Sequence, residues 1–216
     1  MTREELIKRV ALKMDEISSS DDVIVPVGTG DNNPLYTQIN NLLNESVNDA
    51  LMKAPIYRIQ SQISSIDTCT EEQLFGGKRK SVVFVVPDDF IRLVSVIDDY
   101  FQRPIVDLAI EGDNIDKRQH NKFLVAKYAK PVAVLGRSES GKIIITCYSF
   151  DANDMPNPSL NYIKRYNNNS DTMADTDLDE YMIDLVSWVC AGKVFAAQGD
   201  INKGKICDEN AAALMV

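Results

Sequence analysis

Histidine is nearly missing from this sequence, with His120 standing alone. The four cysteines, Cys69, Cys147, Cys190 and Cys207, include no C-x-x-C pair. A structural zinc site takes about four convergent ligands, usually with paired spacing, so the sequence predicts no metal and scattered, reduced thiols. Long apolar runs are missing too. The longest, from Val82 to Val86, is far below the roughly 20 residues that cross a bilayer, which predicts no membrane partner. The opening MTREELIKRV is charged where a secretory leader is apolar, so the protein is expected to stay in the cytoplasm where it is made. Positive charge is in deficit: 23 Lys and Arg stand against 32 Asp and Glu, for a net charge of −9. The last 66 residues hold 5 basic and 11 acidic side chains, so −6 of the total sits there. That balance disfavours a protein that grips DNA through its phosphates, but not one that DNA slides past. No convergent acid pair or activated nucleophile is legible, so the expectation is a protein without catalysis or cofactor.

What the sequence does have is an ordinary globular composition, with 44% apolar and 25% charged residues over 216 positions. That is enough chain to bury a sizeable core. Thr2 and Glu5 sit at the reciprocal positions of a capping box, and Leu6, Ile7, Val10, Met14 and Ile17 follow at helical spacing. A second helix is predicted from about Pro34 to Lys53, with Leu35, Ile39, Leu42, Leu43, Val47, Ala50 and Leu51 as its apolar stripe and Pro55 beyond its end. Residues 56–80 fit either helix or strand. The middle third then reads as β: SVVFVV, a proline–acid turn, FIRLVSVID, a short RPIVDLAI, a polar stretch over 113–128 with a short helix, a hairpin over 131–149 and a strand at LNYIKRY. Short connections predict antiparallel order throughout. The last third returns to helix. Thr176 is expected to cap it, Leu178, Met182, Leu185, Val186 and Val189 form a face, Trp188 anchors it in the core and Gly199 stops it. Gly192 beside Ala191 would let another helix approach closely.

The fold class expected is therefore α+β: an α-helical bundle from the N- and C-terminal segments with an antiparallel β insert in the middle. The predicted division is 1–55 for the N-terminal helices, 56–170 for the β-rich insert and 171–216 for the closing helix and tail, all in one composite domain.

Three short motifs invite a ligand. Gly136, four residues, Gly141 and Lys142 have the spacing of a phosphate-binding loop. Ile143 stands where Ser or Thr would hold magnesium, and both flanks read as strand, so a hairpin tip is expected instead. Asp175, Asp177 and Asp179 alternate as in a calcium loop, but Glu180 replaces the required glycine and Val186 the final glutamate, so these acids read as a helix start. Lys78, Arg79 and Lys80 read as a solvated turn.

The stretch VPDDFIRLVSVIDDYFQRP resembles one found in bacteriophage head-to-tail adaptor (connector) proteins, where a proline–acid turn leads into an F-x-R-L strand and an aromatic precedes R-P. Pro87, Asp89, Phe90, Arg92, Leu93 and Pro104 are the matching positions. LVSWVCAGKVFAAQGD resembles the closing helix of the same adaptors at Trp188, Ala191 and the Gly199–Asp200 stop. The two motifs cover about 35 residues, and the element order covers most of the chain. Segments 56–80 and 113–128 are longer than compact adaptors need. The asparagine-rich, cysteine-poor style resembles that of crAss-like phages of gut Bacteroidales.

The resemblance implies a structural virion protein at the head-to-tail interface, assembled in the host cytoplasm. It would form a homo-oligomeric, dodecameric ring beneath the portal protein, continue the DNA channel and meet the next tail or ring component. Genomic DNA would pass through without specific binding. Two surfaces are expected to make protein contacts: the hairpin tip of Arg137, Ser138, Glu139 and Ser140, and a portal-binding tail with Ile206, Ala211, Ala212, Ala213, Leu214, Met215 and Val216. The tail is expected to be loosely held in the free chain, after a flexible NKGK. An enzyme using the Gly136–Lys142 loop and a monomeric β-rich binding module remain as alternatives.

Overall fold

Helix α4 (Glu180–Ala197) is apolar almost all round, and eleven of its 18 residues are buried. A helix of that kind needs partners on every side. In the computed structural model, which describes residues 2–17, 34–166 and 178–215, those partners are α1 (Arg3–Ile17), α2 (Pro34–Lys53) and α5 (Ile201–Leu214). The chain divides into two compact units. One holds both ends of the sequence, up to Gln62 and from Arg165, and the other runs from Ile63 to Lys164. The fold is α+β, with helices from the two ends flanking a central strand region.

In the helical unit, the Thr2 hydroxyl accepts from the Glu5 N–H while the Glu5 carboxylate accepts from the Thr2 N–H, so the capping box forms. Leu6, Ile7, Val10, Ala11 and Met14 are buried, as are Ile39, Leu43, Val47, Ala50 and Leu51 of α2. Lys193 of α4 reaches both Glu45 and Asp49 of α2 at 2.6 Å. The amide of Asn48 pairs with both backbone polar groups of Tyr166, at 2.7 and 2.9 Å, much as a β-strand neighbour would. Two expectations about α4 are corrected. Its cap is Asp179, whose carboxylate accepts from the Met182 N–H; Thr176, Asp175 and Asp177 lie outside the described residues. Trp188 is half-buried rather than central, with the Lys13 ammonium 4.9 Å from its ring centroid.

The second unit stacks two sheets. One has the order β1–β8–β4, from β1 (Ile63–Ile66), β8 (Ser159–Lys164) and β4 (Phe90–Ile97). The other has the order β2–β3–β7–β6–β5, from β2 (Thr70–Leu74), β3 (Arg79–Val85), β7 (Ile143–Asp151), β6 (Val132–Arg137) and β5 (Leu108–Ile110). Phe84, Val96, Ile145, Phe150 and Leu160 lie in the core they share. The turn Pro87–Phe90, closed by a 3.1 Å bond from the Phe90 N–H to the Pro87 carbonyl, carries the chain from one sheet to the other. Residues of this turn and of β4 pin β4 to β8. Phe90 stacks on Tyr162 with centroids 5.6 Å apart, Asp89 accepts from the Tyr162 hydroxyl, and Leu93 is buried.

Antiparallel order fails at one place. β5 and β6 run parallel, because the segment between them, with the short helix α3 (Asn114–Gln119), is a full crossover. That crossover covers the outer face of the larger sheet, where Val125 packs with Ala109, Val134 and Tyr148.

Candidate functional site

The phosphate-loop spacing lies in a hairpin, as expected. Gly136 is within β6 and pairs with Ile144 of β7. The Ser138 N–H donates to the Lys142 carbonyl at 2.9 Å, and Gly141 takes the left-handed conformation at φ +80°. A Cβ at Gly136 would meet the Glu111 carboxylate at 2.8 Å, and that carboxylate accepts from the Arg137 N–H. A carboxylate thus stands against Gly136 and Arg137, where the loop reading would need a phosphate, and the segment after it is strand β7 rather than the start of a helix. Arg137, Ser138, Glu139 and Ser140 form an exposed or half-exposed tip with Ser138 and Ser140 hydrogen-bonded at 2.9 Å.

The tail is more tightly held than its composition suggests. NKGK is not a flexible link; it forms the first turns of α5. Asp200 accepts from the Lys203 N–H as the helix cap. Between α4 and α5, the Gly199 N–H reaches the Ala196 carbonyl and the Asp200 N–H the Phe195 carbonyl, with Gly199 at φ +86°. This double closure is the Schellman turn that glycine permits. The helices then meet glycine to glycine. A Cβ on Gly204 would lie 3.4 Å from the Gly192 carbonyl, and one on Gly192 would lie 3.2 Å from the Cys207 Cβ. Of the predicted docking residues, Ala211 is buried, Leu214 and Met215 are half-buried, and Ile206, Ala212 and Ala213 are exposed; Val216 lies outside the described residues.

The structure brings together a different group. The turn joining β2 to β3 holds three successive residues at positive φ: Phe75 at +53°, Gly76 at +69° and Gly77 at +82°. Glycine suits that conformation, but a phenylalanine there is strained by about 1–3 kcal/mol. Phe75 faces the crossover, and with Lys78, Arg79, Lys122, Phe123, Val125 and Lys127 it lines a cleft of about 350 Å³. Among the described residues, no carboxylate lines it. Phe123 is 81% exposed, its ring 4.8 Å from the Lys122 ammonium.

The walls of this cleft are fixed by hydrogen bonds. Gln119 is buried, donates to the Ile115 carbonyl and accepts from the Ala126 N–H. Asn121 accepts from the Phe123 N–H at 3.0 Å. Arg79 binds the Asp151 carboxylate and the Ala126 carbonyl, so it ties β3 to the crossover. The Tyr128 hydroxyl donates to Asp151 and Asp154, at 3.0 and 2.7 Å. Burial of Asp151 works against its charge, yet the hydrogen bonds from Arg79 and Tyr128 outweigh it and hold the carboxyl below its ordinary range. The nearby acids are therefore committed to Arg79 and Tyr128. Lys80 is likewise committed, to Glu71 at 2.9 Å and to the Asp154 carbonyl at 2.8 Å. Lys78, Lys122 and Lys127 are exposed and, among the described residues, have no carboxylate within ion-pair distance. The expected solvated turn at 78–80 thus holds for Lys78 alone. A signal for the rest was present in the sequence: Lys117, Arg118, Lys122, Lys127 and Lys130 are five cations in a stretch without one acid.

The remaining titratable groups carry little chemistry. Burial pushes the thiols of Cys190 and Cys207 up to about 11, and those of Cys69 and Cys147 up as well. His120 lies 3.3 Å from Asp116, whose other oxygen accepts from the Gly112 N–H in the crossover. Among the described residues, no helix is long and apolar enough to cross a membrane. No protein-family model matches the chain, and no curated protein matches it.

Proposed function

We propose that the chain is a structural virion protein, a head-to-tail adaptor whose copies form a ring beneath the portal, continue the DNA channel and join the portal to the tail. The observation that carries this reading is the outer edge of β5, which ends the larger sheet with no strand beyond it among the described residues. A groove of about 290 Å³ runs beside it, lined by Pro104, Val106, Leu108, Ile115 and Val132, and Val106 and Ile115 are 57% and 46% exposed. An open strand edge beside exposed apolar side chains is a liability in a monomer and an interface in an assembly. In the proposed assembly this edge meets a different surface of the next copy, a head-to-tail contact that closes into a ring when the rotation between copies allows it. The order of elements, with both chain ends in one helical unit and a β unit between, agrees with the adaptor resemblance. Pro104, one of the matching positions, is in the groove itself.

The test is electron microscopy of the purified protein mixed with its portal. Rings stacked on the portal are expected. Monomers that leave the portal bare, at concentrations where adaptor and portal are both in the micromolar range, contradict the proposal. An enzyme built on Gly136–Lys142 has no comparable support, given the hairpin and the Glu111 carboxylate beside it.

A further inference from the structure

We propose that the cleft between the β2–β3 turn and the crossover binds single-stranded nucleic acid, with a base stacked on Phe123 and the flanking phosphates held by Lys78, Lys122 and Lys127. This does not depend on the assembly reading. The chain as a whole is acidic, at −9, but fields from exposed charges are screened beyond about 8–10 Å. What a ligand meets is therefore the local surface.

That surface has three properties together. Among the described residues it has three exposed lysines with no carboxylate within ion-pair distance, no acid in its lining, and a phenyl ring 81% exposed. Burying such a ring stabilises a complex, and leaving it in water has no structural purpose here, since the local core is built by Val125, Ala109, Val134 and Tyr148. A single strand supplies a flat π-face and a negative charge at every repeat, which is the pairing that aromatic rings and cations recognise. An acidic peptide supplies the charge, but a flat face only by accident of sequence. Duplex DNA hides its base faces in the stack. The cleft, at about 350 Å³, is at the small end for ligand sites and suits one nucleotide rather than a folded segment. Its rim is also preorganised: Arg79, Gln119 and Asn121 hold both walls, and Phe75, in a left-handed conformation, packs on the cluster of Ala109, Val125, Val134 and Tyr148.

The experiment is fluorescence anisotropy of a labelled oligothymidylate about 20 nucleotides long, titrated with the full chain at about 50 and about 200 mM salt. Binding that weakens with salt is expected. Phe123→Ala should weaken it by about 5- to 100-fold. Lys122→Gln with Lys127→Gln should lower the slope of log affinity against log salt by about 1.4, because two phosphates would no longer be neutralised. Thermal melting of each variant should match the parent, since these side chains are exposed. No binding at the lower salt overturns the proposal. So does an unchanged affinity in Phe123→Ala. Equal affinity for a polyglutamate of the same length would make this a site for acidic protein segments, and equal affinity for thymidine monophosphate would make it a site for free nucleotides; either result overturns the strand assignment.

Discussion

Single residues fix this molecule at two kinds of point: close approach and charge. Gly192 is the first kind. With 3.2 Å from its would-be Cβ to the Cys207 Cβ and 3.3 Å to the Asp208 carboxylate, a large side chain cannot fit without parting α4 from α5. Gly192→Leu should cost about 1–3 kcal/mol, read as a lower melting temperature for the helical unit. Asp151 is the second kind. Its folded pKa is lowered, so its contribution to stability is present above the ordinary aspartate value, about 3.9, and is lost as the pH falls through the lower folded value. Melting curves from about pH 7 to about pH 3 should show Asp151→Asn less stable than the parent at neutral pH and less sensitive to acid. An equal acid slope in both proteins would mean that the Arg79 and Tyr128 contacts do not favour the charged form.

At the scale of elements, α5 and the β6–β7 hairpin differ in what holds them. α5 is short enough to be marginal alone in water, yet it has a Schellman entry, an Asp200 cap and a buried stripe of Gly204, Cys207 and Ala211 against α4. Truncation after Lys205 should therefore lower the melting temperature of the helical unit by roughly 5–15 °C. If such a chain melts like the parent, α5 is a free arm. On the proposed function, portal contacts through Ile206, Ala212 and Ala213 would use the outward face of a docked helix and need no release of Ala211. The hairpin tip has the opposite character. Its contacts are local to the tip, such as Ser138 with Ser140 and Lys142, so deletion of Ser138–Ser140 should leave the unit folded by circular dichroism. On the proposed function, the same deletion should weaken ring or tail assembly, scored by particle counts in the electron microscope.

At the scale of the whole molecule, the division into units has a simple covalent form. Ile63 and Ile163 are paired neighbours in β1 and β8, so the β unit enters and leaves the chain through adjacent strands. A unit with its own core and its ends together can be excised. Residues 63–164, expressed alone, should give a cooperative melt and dispersed amide resonances. A spectrum of unfolded chain would show that its stability is borrowed. Residues 56–80 and 113–128, the two stretches longer than a compact adaptor needs, contribute the two walls of the basic cleft.

Local patterns determined much of this by themselves. The capping box at Thr2 and Glu5, the span of α2, the hairpin over 131–149 and the close helix approach at Gly192 are all set by spacing or by residues whose conformational preferences are intrinsic. What depended on partners distant in the chain was decided only by tertiary structure. Trp188 sits on a helix that is apolar all round, so no periodicity could say which face turns outward. The cap of α4 falls to Asp179 because several acids and threonines there could each serve. The parallel pairing of β5 with β6 needs the crossover to pack over the sheet, a non-local contact that strand propensity does not encode. The cleft lies beyond local pattern for the same reason: Phe75 and Phe123 are 48 positions apart. Their approach, and the engagement of Arg79 and Lys80 by neighbouring carboxylates, depends on which strands pair. Sequence could count the cations; only the fold could show which of them a carboxylate engages within ion-pair distance.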